Sequence, residues 1–407
     1  MNKKMIGIFA VLMIQVMFFQ PVVSASPVTI TGAGSTFAQV ILGKWGDSFY
    51  TNSSDSIQLS YAGVGSGQGI ASITNQSVDF AGSDAPLSPT QQASANQTGN
   101  SNGNHFGAIN TIPESAGGIV LAYNLASNEI TGPLNLTADV IAQIMQRNIT
   151  TWDAAPITAL NPGLHSSAPI AVVHRADGSG TTYAFSNYLS VATTPGTWVL
   201  GQSTLLNWPS QTSGQKGNSA VAGYITKTAD SIGYVELAYA LENQISTAYI
   251  QNKAGNWVNA TLSGITTAMQ TAAGNLPKST GDWSHVSINN QAGTNTYPIC
   301  TFTYLLVYSN LTSLGYNVGS SLIKFFQYIM QPEQQAVAPK IGYVPLPSNL
   351  LLDNLAVING LTIAPAPTSS SSGNSSSTTP GFEMIPVISL FVVASTIVAI
   401  KRKNKAN

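Results

Sequence analysis

One local pattern recurs along this chain: a short apolar strand, a turn rich in glycine and serine, and a helix with apolar side chains on one face. In its fullest copy the apolar run 170–173 leads to the turn 177–180, Asp-Gly-Ser-Gly, and a helical pattern begins at Thr181. The runs 28–30 and 57–60 begin two further copies. Strands and helices that alternate in this way predict an α/β fold, in which ligands collect at the carboxyl ends of the strands.

The turn that begins at Asp177 has the groups expected of an anion site. The start of a helix exposes unpaired N–H groups and the positive end of the helix dipole. Arg175 would add a fixed positive charge, and the sequence has only two other arginines, Arg147 and Arg402. Charged residues make up only 8% of the chain, against about 25% in typical proteins. On this local pattern alone, a surface ion pair between Arg175 and Asp177 is an equally good interpretation.

The charge balance limits the possible partners. Residues 26–380 contain seven Lys, two Arg and fifteen Asp or Glu, which gives a net charge of 9 − 15 = −6. No basic patch is evident, so nucleic acid is not expected as a partner. Few carboxylates also leave few charges to change in acid, and we hypothesise that the protein works in an acidic medium. Loss of the fold at about pH 3, followed by circular dichroism, would contradict this hypothesis.

Both ends of the chain carry membrane signals. Residues 1–25 have the basic start, apolar run and small residues of a secretory signal peptide. Residues 382–400 are long and apolar enough for a transmembrane helix, and the basic tail 401–407 places the C-terminus in the cytoplasm. The Ser/Thr/Pro-rich stretch 364–380 before this helix predicts a flexible stalk. We therefore predict an extracytoplasmic protein at the cell surface, anchored to the cytoplasmic membrane by its C-terminus.

Two further features fit a cell-surface location. The stretch from Pro380 to Phe382 and the residues after it resemble the C-terminal sorting signal of archaeal surface proteins, which implies that the tail is cut and replaced by lipid. The sequence leaves retention and processing of the tail open. Sequons for N-glycosylation predict a glycoprotein. They begin at Asn52, Asn75, Asn96, Asn135, Asn148, Asn259, Asn310 and Asn374.

Residues for catalysis or metal binding are sparse. The single cysteine, Cys300, excludes an intrachain disulfide and a multi-cysteine metal site, and its apolar surroundings predict a buried side chain. The four histidines lie far apart without ligand spacing, at His105, His165, His174 and His285. His174 adjoins Arg175 but is expected to face away from it. The sequence contains neither a nucleotide P-loop nor a Gly-x-Ser-x-Gly elbow. We therefore predict no catalytic residue, no metal and no cofactor.

The motifs of this chain, taken in order, resemble one family. They are 31–37, 61–67, 78–87, 117–122, 149–152 with 160–163, 175–181, 217–218 with 221–224, and 232–236. Over roughly residues 30–350 the ordered set resembles the phosphate-binding protein of the high-affinity phosphate ABC transporter. The sequence departs from the family at Ala38, where proline is usual, and at Gly67-Gln68, where a Ser-Gly pair is usual. Both departures could shift the affinity for the ligand.

The resemblance implies a two-lobed, hinged fold of the type II periplasmic-binding-protein class. Each lobe would be a mixed sheet flanked by helices, with the ligand in the cleft between the lobes. Lobe I would comprise residues 26–115 and 299–363, and lobe II residues 116–298. The implied function is an extracytoplasmic substrate-binding protein that captures inorganic phosphate by lobe closure and delivers it to the permease subunits of an ABC transporter.

The resemblance also implies a set of phosphate ligands. By position in the motifs these are Thr36, Phe37, Ser66, Asp84, Arg175, Ser179, Gly180 and Thr181. Ser35 and Asp177 would support them, the latter by an ion pair with Arg175. Without the resemblance, the serines and threonines at these turns would be read as ordinary helix caps.

Asp84 would be the residue that distinguishes one anion from another. A carboxylate repels an anion unless a proton lies between them, and phosphate carries such a proton at neutral or acid pH whereas sulfate does not. An unpaired buried acceptor costs about 1–3 kcal/mol, and a site built on such a hydrogen bond can reject the analogue that lacks it. Two alternatives stay open: a receptor for another oxyanion, such as sulfate or molybdate, and a phosphoester hydrolase.

Overall fold

The computed structural model describes residues 27–52, 56–100, 105–126, 128–278 and 281–367. The predicted signal peptide 1–25, the stalk from residue 368 onward, the apolar segment 382–400 and the tail 401–407 lie outside the described residues. In the part that is described, no helix has both the length and the apolar character needed to cross a membrane.

The described residues alternate between strands and helices, as predicted. The strands are β1 (Val28–Gly34), β2 (Ile57–Gly63), β3 (Phe80–Ser83), β4 (Ile109–Asn124), β5 (Asn135–Leu136), β6 (Ala171–Arg175), β7 (Ser213–Gln215), β8 (Ser231–Glu236), β9 (Ser246–Thr247), β10 (Tyr249–Gln251), β11 (Trp257–Val258) and β12 (Cys300–Tyr308). The α-helices are α1 (Thr36–Asn52), α2 (Ser66–Thr74), α3 (Pro89–Gly99), α4 (Ala138–Met145), α5 (Ala155–Thr158), α6 (Gly180–Ala192), α7 (Gly217–Lys227), α8 (Leu237–Glu242), α9 (Leu262–Ala272), α10 (Gly315–Ile329), α11 (Pro332–Gln335) and α12 (Ser348–Asn359). Short 3₁₀ turns lie at Ala273–Asn275, Thr312–Leu314 and Ala338–Ile341.

Most strands belong to one large mixed sheet. Its order is β2-β1-β3-β12-β4-β8-β6-β7, with β9 paired to β4, while β11, β10 and β5 form a small separate sheet. The pairs β1·β2, β1·β3, β6·β8 and β6·β7 are parallel, so their helices follow on the same edge. β12 runs antiparallel to β3 and β4, and β4 antiparallel to β8. The parallel pairs therefore form two groups, joined through β12 and β4.

β4 links these two groups as a single continuous strand. Its residues 109–118 pair with β12, and residues 119–124 pair with β8. The sequence predicted only the run 119–123, because Pro113, Glu114 and the Gly117-Gly118 pair interrupt the apolar pattern. All residues from 111 to 123 are nevertheless buried, which is the position of a central strand.

The helices cover the sheet with the faces that their periodicity predicts. α1 buries Phe37, Ile41, Trp45 and Phe49, which recur every four residues. α4 begins after Thr137, whose hydroxyl accepts a hydrogen bond from the Val140 amide, 3.2 Å, as predicted for an N-cap. Cys300 is buried at the start of β12, also as predicted.

Candidate anion-binding site

The amino ends of four helices meet at one place in the fold. Each of these helices follows the carboxyl end of a strand in the large sheet: β1, β2, β6 and β7 lead to α1, α2, α6 and α7. The first N–H groups of a helix have no partner within it. The amides of Thr36, Phe37, Gly180 and Thr181 form no hydrogen bond with any described residue. The fold therefore gathers several unpaired donors in one place.

The Asn218 side chain joins two of these helix starts. Its Nδ2 donates to Thr36 Oγ1, 3.1 Å, and to Thr181 Oγ1, 3.2 Å. Thr36 Oγ1 also accepts from the Asn218 amide, 3.2 Å, and Thr181 Oγ1 accepts from Arg175 Nη1, 3.3 Å. Each hydroxyl oxygen accepts two hydrogen bonds and so uses both lone pairs, which leaves its own proton free to donate. No described residue accepts either proton.

Arg175 ends β6 and is 2% exposed. Its Nε donates to Asp177 Oδ1, 2.7 Å, and its Nη2 donates to Oδ2, so the ion pair is bidentate. With the bond to Thr181, three of the five N–H groups of the guanidinium have acceptors. The remaining 5 − 3 = 2 have none among the described residues. A buried cation with unpaired donors is costly without a further anionic partner.

Asp177 serves mainly to hold this arginine. Burial by itself raises the pKa of the Asp177 carboxyl, but hydrogen bonds from Arg175 and its positive charge outweigh burial and lower that pKa overall. The Gly217 amide adds a hydrogen bond to Oδ1, 3.1 Å. Asp177 is therefore ionised, and its charge neutralises the charge of Arg175.

Asp84 follows β3 and is 1% exposed. Its carboxylate accepts hydrogen bonds from the hydroxyls of Ser35 and Ser66, the latter at 3.4 Å. The Asp84 amide in turn donates to Ser66 Oγ, 3.2 Å. Burial raises the pKa of Asp84 to about 6, although the hydrogen bond from Ser35 and the charge of Arg175 oppose the increase. At neutral pH the group is a buried carboxylate held by neutral donors.

Two glycines allow the segments of the site to approach each other closely. A Cβ atom on Gly180 would lie 2.6 Å from Asp84 Cβ and 2.6 Å from Ser66 Oγ. Gly65 has φ 92, a conformation that favours glycine, and a Cβ there would collide with the Asp177 carboxylate. Beside it the Gly67 amide donates to the Gly178 carbonyl, 2.8 Å. The α2 and α6 starts are thus in direct contact.

Two tyrosines hold the first turn of α1 from behind. The Tyr239 hydroxyl donates to the Thr36 carbonyl, and the Tyr343 hydroxyl to the Phe37 carbonyl, each at 2.6 Å. The Tyr343 oxygen also lies 3.3 Å from Oε2 of Glu236, a fully buried residue whose Oε1 caps α8. Burial raises the pKa of the Glu236 carboxyl well above its ordinary value. These contacts fix the peptide units that carry the Phe37 and Ala38 amides.

Comparison with known proteins gives the family. A family model described as a PBP superfamily domain matches residues 21–333. The phosphate-binding protein PstS of Xylella fastidiosa (strain Temecula1) is 34% identical over 330 residues, which covers 80% of this chain and 83% of the relative. The chain belongs to the PstS family of phosphate-binding proteins. An archaeal PstS, from Methanocaldococcus jannaschii, is 29% identical over 346 residues, covering 82% of this chain and 86% of the relative.

Solved structures agree on the fold of this PstS-family chain. A high-affinity periplasmic phosphate-binding protein, PfluDING, solved with phosphate bound, has a TM-score of 0.66 and 20% identity, covering 82% of this chain and 99% of the other. The phosphate-binding protein from Stenotrophomonas maltophilia has a TM-score of 0.62 and 21% identity, covering 81% and 93%. The predicted α/β class, two-lobed and of type II, is confirmed.

The structure brings together all the residues predicted from the PstS motifs. Thr36, Phe37, Ser66, Asp84, Arg175, Ser179, Gly180 and Thr181, with Ser35 and Asp177, form one connected cluster. The helix-cap interpretation applies to Ser179 and Ser35, whose hydroxyls accept from Thr182 N, 3.0 Å, and Ala38 N, 3.1 Å. It is wrong for Ser66, which gives α2 no cap. Their role as ligands stays a prediction.

The sequence analysis missed Asn218, although it quoted the Gly217-Asn pair as a PstS motif. The signal was a polar residue directly after a turn glycine at a helix start, as in the other copies of the pattern. His174, which was expected to face away from Arg175, has contacts of its own. The imidazole stacks on Trp208, with ring centroids 4.8 Å apart, and its Nδ1 lies 2.9 Å from the Arg175 carbonyl.

Proposed function

We propose that this protein captures inorganic phosphate outside the cytoplasmic membrane and delivers it to the permease subunits of an ABC transporter. Membership of the PstS family supports phosphate as the ligand, and the relatives named above are phosphate-binding proteins. Capture proceeds by closure of two lobes around the anion, without covalent chemistry.

The observation that carries this proposal is the environment of Arg175. A buried guanidinium keeps two N–H groups without an acceptor among the described residues, beside amides of two helix starts that also lack one. Asp177 already neutralises its charge. Such a site offers many donors but little net charge, and it suits a small dehydrated oxyanion that can accept from all sides.

Each predicted ligand then has a defined task. The amides of Thr36, Phe37, Gly180 and Thr181, the hydroxyls of Thr36, Ser179 and Thr181, and the Arg175 guanidinium donate to phosphate oxygens. The Ser66 hydroxyl has a single proton, so it donates to phosphate only when it turns away from the Asp84 carboxylate. Asn218 is a positioning residue, because its hydrogen bonds leave the Thr36 and Thr181 hydroxyls only their protons to offer.

Asp84 selects for a protonated anion. Its carboxylate accepts from Ser35 and Ser66, and it would accept one further hydrogen bond from the O–H group of bound phosphate. Sulfate has no proton to donate at neutral pH and would set two negative charges against each other at about hydrogen-bond distance. The loss of that hydrogen bond should cost about 1–3 kcal/mol, and charge repulsion adds to it.

The lobes predicted from the sequence supply the closing movement. In this proposal lobe I comprises residues 26–115 and 299–363, and lobe II comprises 116–298. Support comes from β4, whose pairing partner changes from β12 to β8 close to residue 116. The contacts of Thr36 with Asn218 and Tyr239 would then cross the cleft and hold the lobes together.

The membrane segments complete the proposed receptor. The stretch 364–380 would act as a stalk, and 382–400 would tether the binding lobes to the cytoplasmic membrane with the tail 401–407 inside. A tethered receptor stays near its permease, and the intact mass of membrane-extracted protein shows whether the tail is retained or exchanged for lipid.

The test is calorimetric titration of the purified full-length chain with phosphate, sulfate and molybdate in parallel. We expect phosphate to bind at least about 100-fold more tightly than sulfate. Asp84→Asn should abolish this preference, whereas Asp47→Asn, at an exposed position on α1, should preserve it. Equal affinities in the wild type would favour a general oxyanion receptor. Turnover of a phosphoester that is lost in Arg175→Ala would favour a hydrolase.

A further inference from the structure

Glu114 occupies an unusual position directly behind the proposed site. It lies on β4, where Thr303 pairs with Ser115 and Tyr304 pairs with Pro113, so that Glu114 has no residue opposite it in β12. This extra residue is a β-bulge, a feature that redirects a side chain and is frequent next to functional sites. The Gln335 side chain satisfies the freed Glu114 carbonyl, 3.1 Å. The bulge thus sets a fully buried carboxyl in the middle of the large sheet.

The Thr303 hydroxyl lies near two carboxyl groups, those of Glu114 and Asp84. Thr303 Oγ1 lies 3.2 Å from Glu114 Oε1. Thr303 is also a neighbour of Asp84, since Tyr304 pairs with Ser83 in the sheet, and it acts to lower the pKa of the Asp84 carboxyl. A hydroxyl carries a single proton and can donate to only one of two ionised carboxylates. If both were ionised, one of them would face a lone pair of the Thr303 oxygen. One of the two carboxyl groups must therefore supply a proton of its own.

The partners of each group show which one carries the proton. Glu114 Oε2 is buried and has no hydrogen-bond partner among the described residues. The groups that interact with Glu114 are Asp84, Thr303 and Tyr61, and none of them is positively charged. Asp84, in contrast, accepts from Ser35 and Ser66 and lies within the field of Arg175. The ionised form is stabilised at Asp84 and not at Glu114.

We propose that Glu114 is a positioning residue that is neutral in the phosphate-binding state. Its acid group donates a hydrogen bond to Thr303 Oγ1, so that the Thr303 hydroxyl donates to Asp84 and keeps Asp84 an ionised acceptor. This inference rests on the proposed function, since Asp84 must meet phosphate. It adds a residue that lies behind the ligands and sets which anion they prefer.

A pH limit on phosphate binding follows. Burial raises the pKa of Glu114 to about 8, with the charge of Asp84 acting in the same direction. Above that pH the wild type must take up a proton to bind phosphate, and its affinity should fall by up to about tenfold per pH unit. Phosphate itself keeps one proton throughout this range. The other buried groups that act on Asp84 are Arg175, Glu236, Tyr61, Tyr239, Tyr304 and Tyr343.

The test compares the phosphate affinity of the wild type and Glu114→Gln from pH 6 to about pH 9.5. The glutamine amide can donate to Thr303 as the neutral acid does, but it does not ionise. We expect the two proteins to bind equally below about pH 7.5 and the wild type to bind about 10- to 30-fold more weakly than the variant at pH 9.5. Glu333→Gln, at an exposed position, should follow the wild type.

Several results would overturn the inference. Identical pH profiles of wild type and Glu114→Gln would do so, as would loss of the alkaline limit in Glu236→Gln instead. If Glu114→Gln does not fold, Thr303→Val serves in its place: about tenfold weaker phosphate binding at pH 7 is expected, and unchanged binding contradicts the relay. A wild type that binds no phosphate at pH 6 would refute the proposed function itself, whereas a wild type that binds well up to pH 9.5 refutes only the role of Glu114.

Discussion

Asp84 and Asp177 both interact with Arg175 and differ in almost every physical respect. Asp177 makes a bidentate ion pair with the arginine and its pKa is lowered, whereas Asp84 is held by neutral hydroxyls and its pKa is raised to about 6. The Asp177 side chain is 12% exposed, whereas Asp84 as a residue is 1% exposed. One half of the site thus holds a neutralised cation, and the other holds a carboxylate with capacity to accept one more hydrogen bond.

In the proposed function, this difference separates the residue that sets affinity from the residue that sets selectivity. The Arg175 half offers donors that any oxyanion could use, because none of them depends on a proton from the ligand. The Asp84 half rewards only an anion that brings a proton. Substitution of Arg175 should therefore lower the affinity for every oxyanion, whereas substitution of Asp84 should change the preference between them. The following predictions test that separation.

The largest effect is expected on the arginine side. Arg175→Ala removes the cation and leaves Asp177 as an unpaired, partly buried carboxylate. Breaking a buried ion pair in this way typically lowers the free energy of unfolding by about 3–5 kcal/mol. Phosphate and sulfate binding should both fall by at least about 1,000-fold. Calorimetry with both anions measures this, and circular dichroism checks that the variant is folded. A variant that lost phosphate but kept sulfate binding would contradict the division of roles.

The pH dependence of stability should have opposite signs on the two sides. The folded-state pKa is raised for Asp84, Glu114 and Glu236, so their contribution to stability is complete below about pH 4 and is lost as pH rises through their folded-state values. Asp177, with its lowered pKa, contributes above its unfolded value, and this is lost as pH falls through the lowered value. For Asp84 alone the loss is about 2–3 kcal/mol between pH 4 and 8.

Urea denaturation at pH 4.5 and 8.5 in phosphate-free buffer checks this expectation. The wild type should be more stable at pH 4.5, in line with the hypothesis of an acidic medium. Asp84→Asn should lose less stability than the wild type between pH 4.5 and 8.5. Asp177→Asn should lose as much as the wild type over the same range. A wild type that gains stability steadily from pH 4.5 to 8.5 would contradict the raised pKa values of the buried carboxyl groups.

Asp84→Asn should change selectivity more than total binding. The asparagine can donate to an anion, so sulfate should gain affinity while phosphate loses some, and the ratio of the two should change by about 10- to 100-fold. Competition of sulfate against bound phosphate measures the ratio directly. An unchanged ratio would assign the selectivity to another residue.

The smallest effect is expected at Asn218. Asn218→Ala frees lone pairs on the Thr36 and Thr181 hydroxyls, so that their protons are no longer directed at the anion, and phosphate binding should weaken by about tenfold. In a Thr36→Val background the same substitution should cost less, because one of the hydroxyls it orients is gone. If the two substitutions change the free energy of phosphate binding additively, Asn218 does not act through the Thr36 hydroxyl and is a structural residue only.

The sequence predicted those features that depend on local pattern. The start of α4 at Thr137, the buried stripe of α1 and the turn before α6 follow from residues within a few positions of each other. The motif order then brought the predicted ligands together correctly, although they lie as far apart as Thr36 and Thr181.

The rest depends on contacts between distant segments. Asn218 acquires its task from Thr36, 182 residues away, and no local pattern specifies that pairing. The first part of β4 was not predicted, because a proline, a glutamate and two glycines interrupt its apolar pattern. The bulge at Glu114 is visible only in the register of β4 against β12.

The pairing of Arg175 with Asp177 also affects the rate at which the receptor binds phosphate. A cation cancelled by its neighbour projects almost no field beyond the protein surface, and the surrounding chain is negative overall, −6 between residues 26 and 380 by the count 9 − 15. Incoming phosphate is therefore not drawn in from a distance, and added salt, which screens the negative charge of the chain, should not lower its rate of association. Under the proposed function, tight binding of phosphate then depends on slow dissociation rather than on fast association.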